Sequence, residues 1–439
     1  MLWNGYGGSM MNGQRVTNDF LSYWISALVF ILCLGTAYRH MSMVVEVLLA
    51  LSLCVAYFAS SKDQKPLEKN EKLFILALIL FFLSAVLSYL AGSGWELKSA
   101  RNPSMPSLTD LDTPSKYLLG ALVFYLFIKL DFRIYYKALC YGIALGGIAN
   151  GCIGIYQRYI LGVGRVYGWS GITEMADSSA ILGILSLLLL IFADSKKEKV
   201  LYFAAMFLSC LASVLTGTRG AMLGMILTFA FVGGLLCWKH RKKIKSYLWA
   251  ICICFLGLCS IVGLGDGKSD FLRLEIAHDD LERYHQGEID KNSIGARFEM
   301  WKEAATMFQM APFLGLSTAE ILQRMPEITE KSRSMIKREQ TYQEAIGTKH
   351  NQILNQAAKR GAVGVLVLLF VWFASVKLFF SSFRRGELFA FAGICMIFYF
   401  IFPNALIGDP WESNVSFPLM TLFICIFWKM IHAGRGNAN

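Results

Sequence analysis

The sequence predicts an all-α fold, a polytopic transmembrane bundle of about twelve spans with one large, mostly helical loop outside the membrane. Three observations carry that prediction. First, 55% of the 439 residues are hydrophobic and only 17% are charged, with mean hydropathy +0.48, too apolar for a water-soluble chain of this length. Second, the apolar residues gather in runs that approach the thickness of a bilayer. Third, the basic residues behind the net charge of +11 sit in short clusters between those runs. That is the distribution of topology determinants, so membrane lipids are expected partners and nucleic acid is not.

Taken in order, residues 1–19 are polar and rich in Gly and Asn, and no small-residue cleavage site follows the first apolar run, so no removable signal is read. Apolar runs follow at 20–37, 43–59, 73–91, 117–130, 138–161, 179–193, 200–215, 221–238 and 247–264, then at 361–380, 388–402 and 417–431. The division is therefore nine spans within 1–264, a loop over 265–349, and three spans within 350–439. Gly142/Gly146 and Gly147/Gly151 read as small-xxx-small helix contacts, because no Lys-Ser or Lys-Thr follows to make a phosphate loop. All 11 cysteines, Cys33, Cys140, Cys252, Cys254 and Cys425 among them, lie in apolar runs. They read as small core residues, with neither a disulfide framework nor a zinc site expected.

Orientation follows from the loops. Lys62, Lys65, Lys69 and Lys72, then Lys129, Arg133 and Lys137, then Lys196, Lys197 and Lys199, then Lys239, Arg241, Lys242, Lys243 and Lys245, and finally Arg384 and Arg385 all fall on one side, while 403–416 carries no basic residue. The positive-inside rule makes the basic side cytoplasmic, together with both termini. The opposite side then holds 95–116, 162–178, the turn at 216–219, the long segment 265–349 and the loop 403–416.

The chemically distinctive residues fall on that outer side. TGTRGAML puts Arg219 where a turn enters an apolar helix, so free backbone N–H groups, the positive end of the helix dipole and a guanidinium fork point outward together. That suits a phosphate or diphosphate; an ordinary helix cap with a snorkelling Arg reads the same way. Gly220 and Gly224 read as helix-packing positions. In NSIGARFEMWKEAATMFQMAPFLG, Asn292 or Ser293 can cap a helix that Pro312 and Gly315 end, with Arg297 and Trp301 on one face. Arg297 suits a second contact to a diphosphate and Trp301 a sugar ring or acyl chain, and an interfacial anchoring helix carries the same residues. His350 opens TKHNQILNQAAKRGAVG, where a polar segment enters a helix with Ile353, Leu354, Ala357 and Ala358 on one side and Gln352, Asn355, Gln356 and Lys359 on the other. A histidine there can act as a base or simply cap a span. Gly361 and Gly364 would let that helix pack closely at the membrane boundary. Arg165, in a Gly-rich outer turn before Trp169 and Gly171, reads as an interfacial anchor.

Two acidic patterns are weighed as metal sites and set aside. His278, Asp279, Asp280 and His285 alternate with Leu274, Ile276, Leu281 and Tyr284 as on a solvated amphipathic helix. Asp110 and Asp112 resemble a metal-holding pair of nucleotide-sugar transferases, but the topology puts them on the side away from the cytoplasmic nucleotide sugars. Lys331, Arg333, Lys337 and Arg338 form a basic stretch that reads as a solvated or headgroup-facing surface.

TGTRGAML at the start of a span, RFEMWKEA with PFLG late in a large outer loop, and HNQILNQAAKRGAVG leading into the next span resemble, in this order, the O-antigen ligase family of bacterial surface-polysaccharide assembly. The resemblance covers roughly residues 160 to 430; the earlier spans are similar in hydropathy only. It implies a multi-pass inner-membrane glycosyltransferase that moves O-antigen polysaccharide from undecaprenyl diphosphate to lipid A–core at the periplasmic face, without metal, nucleotide or other cofactor. Motif by motif, Arg219 matches the family's arginine at the helix start, Arg297 its loop arginine and His350, followed by Asn351, its essential histidine. Asp409, in LIGDPWESN, corresponds to a further acidic position, and Arg165 is similar to an arginine that precedes a helix in relatives.

The chemistry asks for the same residues. Departure of a diphosphate needs cationic donors, met by Arg219 and Arg297, and the attacking hydroxyl must lose a proton, met by a neutral His350. Two guanidinium groups and a helix N-terminus favour that neutral state. An O-antigen polymerase, or a ligase that joins glycan to protein hydroxyls, fits nearly the same motifs. A transporter or flippase of lipid-linked glycan would show ionisable residues within spans and a repeated half; Glu46 is the obvious candidate, and no repeat is found.

Overall fold

A computed structural model describes residues 14–59, 66–92, 98, 107–263, 274–288, 293–335 and 349–435. Lys62, Lys65, Asn292, Lys337 and Arg338 lie outside them, as does most of the amino-terminal polar stretch. The described chain is all helix: α1 (Gln14–Leu34), α2 (Met41–Ala59), α3 (Lys69–Ala91), α4 (Asp112–Lys129), α5 (Tyr136–Ile155), α6 (Ile172–Phe192), α7 (Lys196–Leu215), α8 (Arg219–Lys239), α9 (Ile244–Gly263), α10 (Leu274–His285), α11 (Ser293–Met310), α12 (Thr318–Gln323), α13 (Met325–Ser332), α14 (Gln352–Arg385), α15 (Leu388–Ile401), α16 (Pro403–Ile407) and α17 (Ser416–Arg435). Among the described residues ten helical stretches are long and apolar enough to cross a membrane. The apolar part of α1 is shorter, and α4 carries Asp112, Lys116 and Lys129; both pack within the same bundle, against α5 and against α2, α3 and α17. Helices are the expected solution, since lipid offers backbone groups no partner and each helix satisfies its own.

α6 is the axis. Every residue from Met175 to Ile191 is buried, as expected of a helix apolar all round, and α5, α7, α8, α15 and α17 surround it. The glycine pairs of α5 act as read. A Cβ at Gly146 would stand 2.1 Å from Cys33 O on α1, and one at Gly151 would stand 2.4 Å from Leu208 Cβ on α7. The cysteines divide. Cys33, Cys140, Cys210, Cys254, Cys395 and Cys425 are buried as expected, but Cys152, Cys237, Cys252 and Cys259 are exposed, on the outward flanks of α5, α8 and α9, where lipid accepts a small apolar thiol as readily as a core does.

The two ends of the bundle differ. At one, Lys239 donates to Arg384 O, Lys429 to Phe127 O and Leu130 O, and Trp428 Nε1 to the buried Glu71. At the other lie the turn after α1, the loops after α5 and α7, and the segment α10–α13. That segment has its own small core of Ala304, Met307, Leu316, Ile321, Met325 and Ile328, completed by Ala358 of α14. The first turns of α14 are thus shared by bundle and cap.

One correction to the sequence reading concerns α14. Gly361 has φ 60° and ψ −155°, so the helix breaks there, and the loop 312–316 fills the break. Ala362 N donates to Pro312 O and Val363 N to Phe313 O, while Leu316 N donates to Ala358 O and Ser88 Oγ of α3 to Lys359 O. The backbone groups freed by the break are therefore satisfied by the PFLG loop. A Cβ at Gly361 would lie 2.4 Å from Phe313 C, and one at Gly315, φ 68°, would lie 2.2 Å from Arg360 N. Gly361 packs on a loop rather than on another span, and the space beside Gly364 is taken by Arg360 of its own helix. Gly220 and Gly224 do serve helix packing, against Ile407 and against Tyr399 and Pro403.

Candidate functional site

The site lies where α8, α11 and α14 begin. The chain leaves α7 through Thr216, whose Oγ1 donates to Ser213 O and accepts from Thr218 N, and turns at Gly217, φ 63°. Arg219 is then the first residue of α8. Arg165 braces this turn from the 162–171 loop: its Nε donates to Thr216 O at 2.9 Å and its Nη2 reaches Thr218 Oγ1 at 3.5 Å. That loop is itself tied to the turn after α1, where Trp169 N donates to Ala37 O and Arg39 N to Trp169 O, with the Tyr38 and Trp169 rings stacked 4.8 Å apart. Arg165 is exposed and holds the shape of the Arg219 turn.

Arg219 is paired across to the cap. Its Nη1 lies 3.8 Å from Asp280 Oδ2 of α10, and Ser293 Oγ, at the first position of α11, donates to the same oxygen at 3.2 Å. Asp280 is buried; it is a site carboxylate rather than one more residue of a solvated face, whereas His278 and Glu282 are exposed and pair with each other. The Arg219 Nε is buried and has no hydrogen-bond partner. Within α11, buried Glu299 accepts from Tyr284 Oη, Lys302 Nζ and Met335 N, which fixes α10 and the end of the 293–335 segment against α11, on the side away from Arg297 and Trp301.

Arg297 lies within electrostatic reach of both Arg219 and His350. Burial, and then the neighbouring Arg219 charge, lower the Arg297 guanidinium from its ordinary value. Burial, and then the Arg297 charge, bring His350 down to about 4. The imidazole is thus neutral over the physiological range. His350 takes φ 48°, an unusual backbone for a residue with a Cβ, and its neighbours hold it there. Trp301 Nε1 donates to Lys349 O at 3.0 Å, the Lys349 ammonium is buried 3.6 Å from buried Glu303 of α11, and Asn351 caps α14 by accepting from Leu354 N at 3.1 Å. Trp301, expected at a sugar ring or acyl chain, and Asn351, which follows His350 in the motif, are here the supports of His350.

The loop between α16 and α17 closes the site from the side. Trp411 N donates to Gln352 Oε1 and Tyr117 Oη to Trp411 O, and Asp409, almost buried, begins the turn by accepting from Glu412 N and Ser413 N with its carbonyl. Glu412 went unnoticed in the sequence. Its carboxylate accepts from Asn355 Nδ2 at 2.9 Å, Gln356 Nε2 at 2.8 Å and Lys359 Nζ at 2.8 Å and lies 3.5 Å from Arg360. Burial alone would raise this carboxyl, but Lys359 and Arg360 hold it well below the usual range. The polar side of α14 is therefore packed on Glu412 through Asn355, Gln356 and Lys359. A single Glu in a loop without basic residues gave no warning, although four polar residues at helical spacing just before a span were a signal that some acceptor had to meet them.

Of the basic stretch in the cap, Lys331 pairs with Glu327 at 2.6 Å and Arg333 is exposed at the left-handed end of α13. Among the described residues no three His, Cys, Asp or Glu gather as metal ligands.

Residues 204–369 match the sequence model of the O-antigen ligase family, a range that holds the Arg219 turn, all of α10–α13, His350 and the broken start of α14. A stretch of 338 residues is also 24% identical to an uncharacterized protein of Haemophilus influenzae, spanning 76% of this chain and 78% of that protein. Residues 204–369 are thus similar to the O-antigen ligase family within a multi-pass helical membrane protein, which supports a part in membrane glycan assembly of the ligase or polymerase kind, on lipid-linked glycans.

Proposed function

We propose that this membrane protein, with its similarity to the O-antigen ligase family, is an O-antigen ligase. It transfers O-antigen polysaccharide from undecaprenyl diphosphate to a sugar hydroxyl of lipid A–core, at the periplasmic face of the bacterial inner membrane, in lipopolysaccharide assembly. The observation that carries the reading is the Arg297 guanidinium within electrostatic reach of both Arg219 and a neutral His350, near the starts of three helices.

In this reading the donor diphosphate lies between Arg219, Arg297 and the N-terminus of α8. His350 takes the proton of the acceptor hydroxyl as its oxygen attacks the anomeric carbon. The bond from that carbon to the diphosphate oxygen breaks, and undecaprenyl diphosphate leaves as an anion stabilised by the two guanidinium groups. A single displacement inverts the anomeric configuration and calls on no metal. Trp301 stands where a sugar ring can pass, Asp409 beside the acceptor path, and Arg165 and Asn351 keep the Arg219 turn and His350 in place.

Reconstitution of the purified protein with lipid-linked O-antigen and lipid A–core tests this. Long glycan joined to lipid A–core is expected, unchanged by chelator, with the His350→Ala protein slower by about 10²–10⁴-fold. Glycan lengthened on its carrier instead would make the protein a polymerase, and full activity of His350→Ala would remove the base from the mechanism.

A further inference from the structure

One carboxylate stands among the cations of the site, and transfer as described above gives it no part. Arg219 acts on Arg297 through its charge, so the two guanidinium groups are better tolerated with an anion beside them. Asp280 of α10 supplies it. Its side chain is only 6% exposed and its Oδ2 lies 3.8 Å from Arg219 Nη1, while Ser293 Oγ donates to the same oxygen at 3.2 Å. Arg219 is the first residue of α8 and Ser293 the first of α11, so one carboxylate ties together the starts of the two helices that carry the guanidinium groups. One turn further along α10, Tyr284 Oη donates to buried Glu299 of α11 at 2.7 Å, and its ring stands 5.4 Å from that of Phe298. Asp280 and Tyr284 share a helix face at this spacing, so the same contacts that seat α10 hold Asp280 toward Arg219. Lys302 and Lys349, on and beside α11, have carboxylates of their own in Glu299 and Glu303, which leaves Asp280 to Arg219.

We propose that Asp280 is the internal counter-ion of the empty site, that the donor diphosphate displaces it from Arg219, and that its return to Arg219 drives release of the spent carrier. The inference rests on the reading of Arg219 and Arg297 as the diphosphate site. A phosphate oxygen held by the Arg219 guanidinium comes within a few ångströms of the Asp280 carboxylate, and two anions that close in a partly buried place repel strongly. Donor and Asp280 thus compete for one guanidinium. The competition differs before and after transfer. In the donor each phosphate carries one negative charge. Once the sugar has left, the terminal phosphate has a further ionisable oxygen, with a pKa of about 6, and carries most of another charge at neutral pH. Asp280 therefore disfavours undecaprenyl diphosphate more than it disfavours the glycan-bearing donor. It is a specificity-determining residue that separates product from substrate by charge, and between turnovers it keeps Arg219 in place.

The test has an unusual sign, because removing the carboxylate should strengthen binding, whereas a structural lesion would weaken it. Calorimetric titration of the purified full-length protein with farnesyl diphosphate, a soluble prenyl diphosphate with the charge of the product, is expected to give a Kd about tenfold lower for Asp280→Asn than for wild type. Asp280→Glu, which keeps the charge, should stay within about threefold of wild type. Equal or weaker binding by Asp280→Asn, or the same gain in Asp280→Glu, would overturn the proposal while leaving the diphosphate site intact. Absence of binding by wild type and Asp280→Asn alike would overturn both. In the reconstituted assay Asp280→Asn should lower the inhibition constant of undecaprenyl diphosphate about tenfold and the KM of the donor by less, with a first turnover no slower than wild type and a lower kcat once release becomes limiting. Unchanged product inhibition would count against the proposal as well. Asn keeps an oxygen for Ser293; should Asp280→Asn fail to fold, Asp280→Ser removes the same charge and serves both arms. Inactivity of wild type in the assay would count against the ligase reading, with the titration still deciding the role of Asp280.

Discussion

At the scale of single residues, the depressed basicity of His350 has a consequence for pH dependence. The base must be neutral to accept a proton, and in the free protein it titrates at about 4, chiefly through burial and then through the Arg297 charge. An ordinary imidazole would lose activity as pH falls through about 6.5; here kcat/KM, which reports the free protein, is expected to hold to about pH 5 and to fall only as pH approaches 4. Donor binding should change this in a definite direction. A diphosphate lying on Arg297 cancels the charge that disfavours imidazolium, so the acid limb of kcat, which reports the complex, should lie at higher pH than the limb of kcat/KM. Rate profiles in the reconstituted system measure both, and coincident limbs near 6.5 would remove the link between Arg297 and His350. Arg219, Arg297 and His350 were legible in the sequence because each stands at a local punctuation, a turn, a helix face or a cap, that gives its charge a reason. Asp280 and Glu412 were not. A carboxylate announces itself only through its partners, and Arg219 lies 61 positions before Asp280, Lys359 lies 53 before Glu412.

At the scale of elements, the site depends on one backbone junction. The loop 312–316 ends α11, which carries Arg297 and Trp301, and fills the break in α14, which carries His350. The junction sets the spacing of cation and base without any side chain of either. Gly361 occupies a region of φ/ψ that is close to exclusive to glycine, where another residue costs about 1–3 kcal/mol, and an added Cβ would also run into Phe313. Gly361→Ala is therefore expected to lower the unfolding midpoint in detergent by several degrees, on the order of 2–4 °C per kcal/mol, and to abolish transfer by displacing the loop. Gly164→Ala, with nothing within 4 Å of its Cβ, should do neither, and equal behaviour of the two would deny the junction its role. The sequence showed that Pro312 and Gly315 stop a helix and that Gly361 and Gly364 follow a polar turn. It did not show that these glycines meet, because a glycine before a span reads equally as a packing position and as a break.

At the scale of the whole molecule, the bundle was the most legible part, since lipid leaves a spanning chain little choice but helices and hydropathy marks their length. Less legible was which end does the chemistry, because charge counts orient loops without showing what meets across them. The two ends of the bundle separate cleanly: the clusters around Lys239, Arg384 and Lys429 lie at one, and Arg165, Arg219, His350 and Glu412 at the other. The positive-inside rule then assigns the second end to the periplasm, and the whole proposal depends on that assignment, since the lipid A–core acceptor has to meet the carrier-linked glycan on that side. Single cysteines at two exposed loop positions decide it. Gly164 lies beside Arg165, and Ser195 precedes α7 at the basic end. With wild type as the blank for the native thiols, Gly164→Cys should react with a membrane-impermeant maleimide in cells whose outer membrane alone is permeabilised, and Ser195→Cys only after the inner membrane is opened. The reverse pattern would turn Arg219, Arg297 and His350 toward the cytoplasm, where a carrier-linked glycan awaiting export and not a finished polymer is on offer, and transfer to lipid A–core at the periplasmic face would no longer follow from this site.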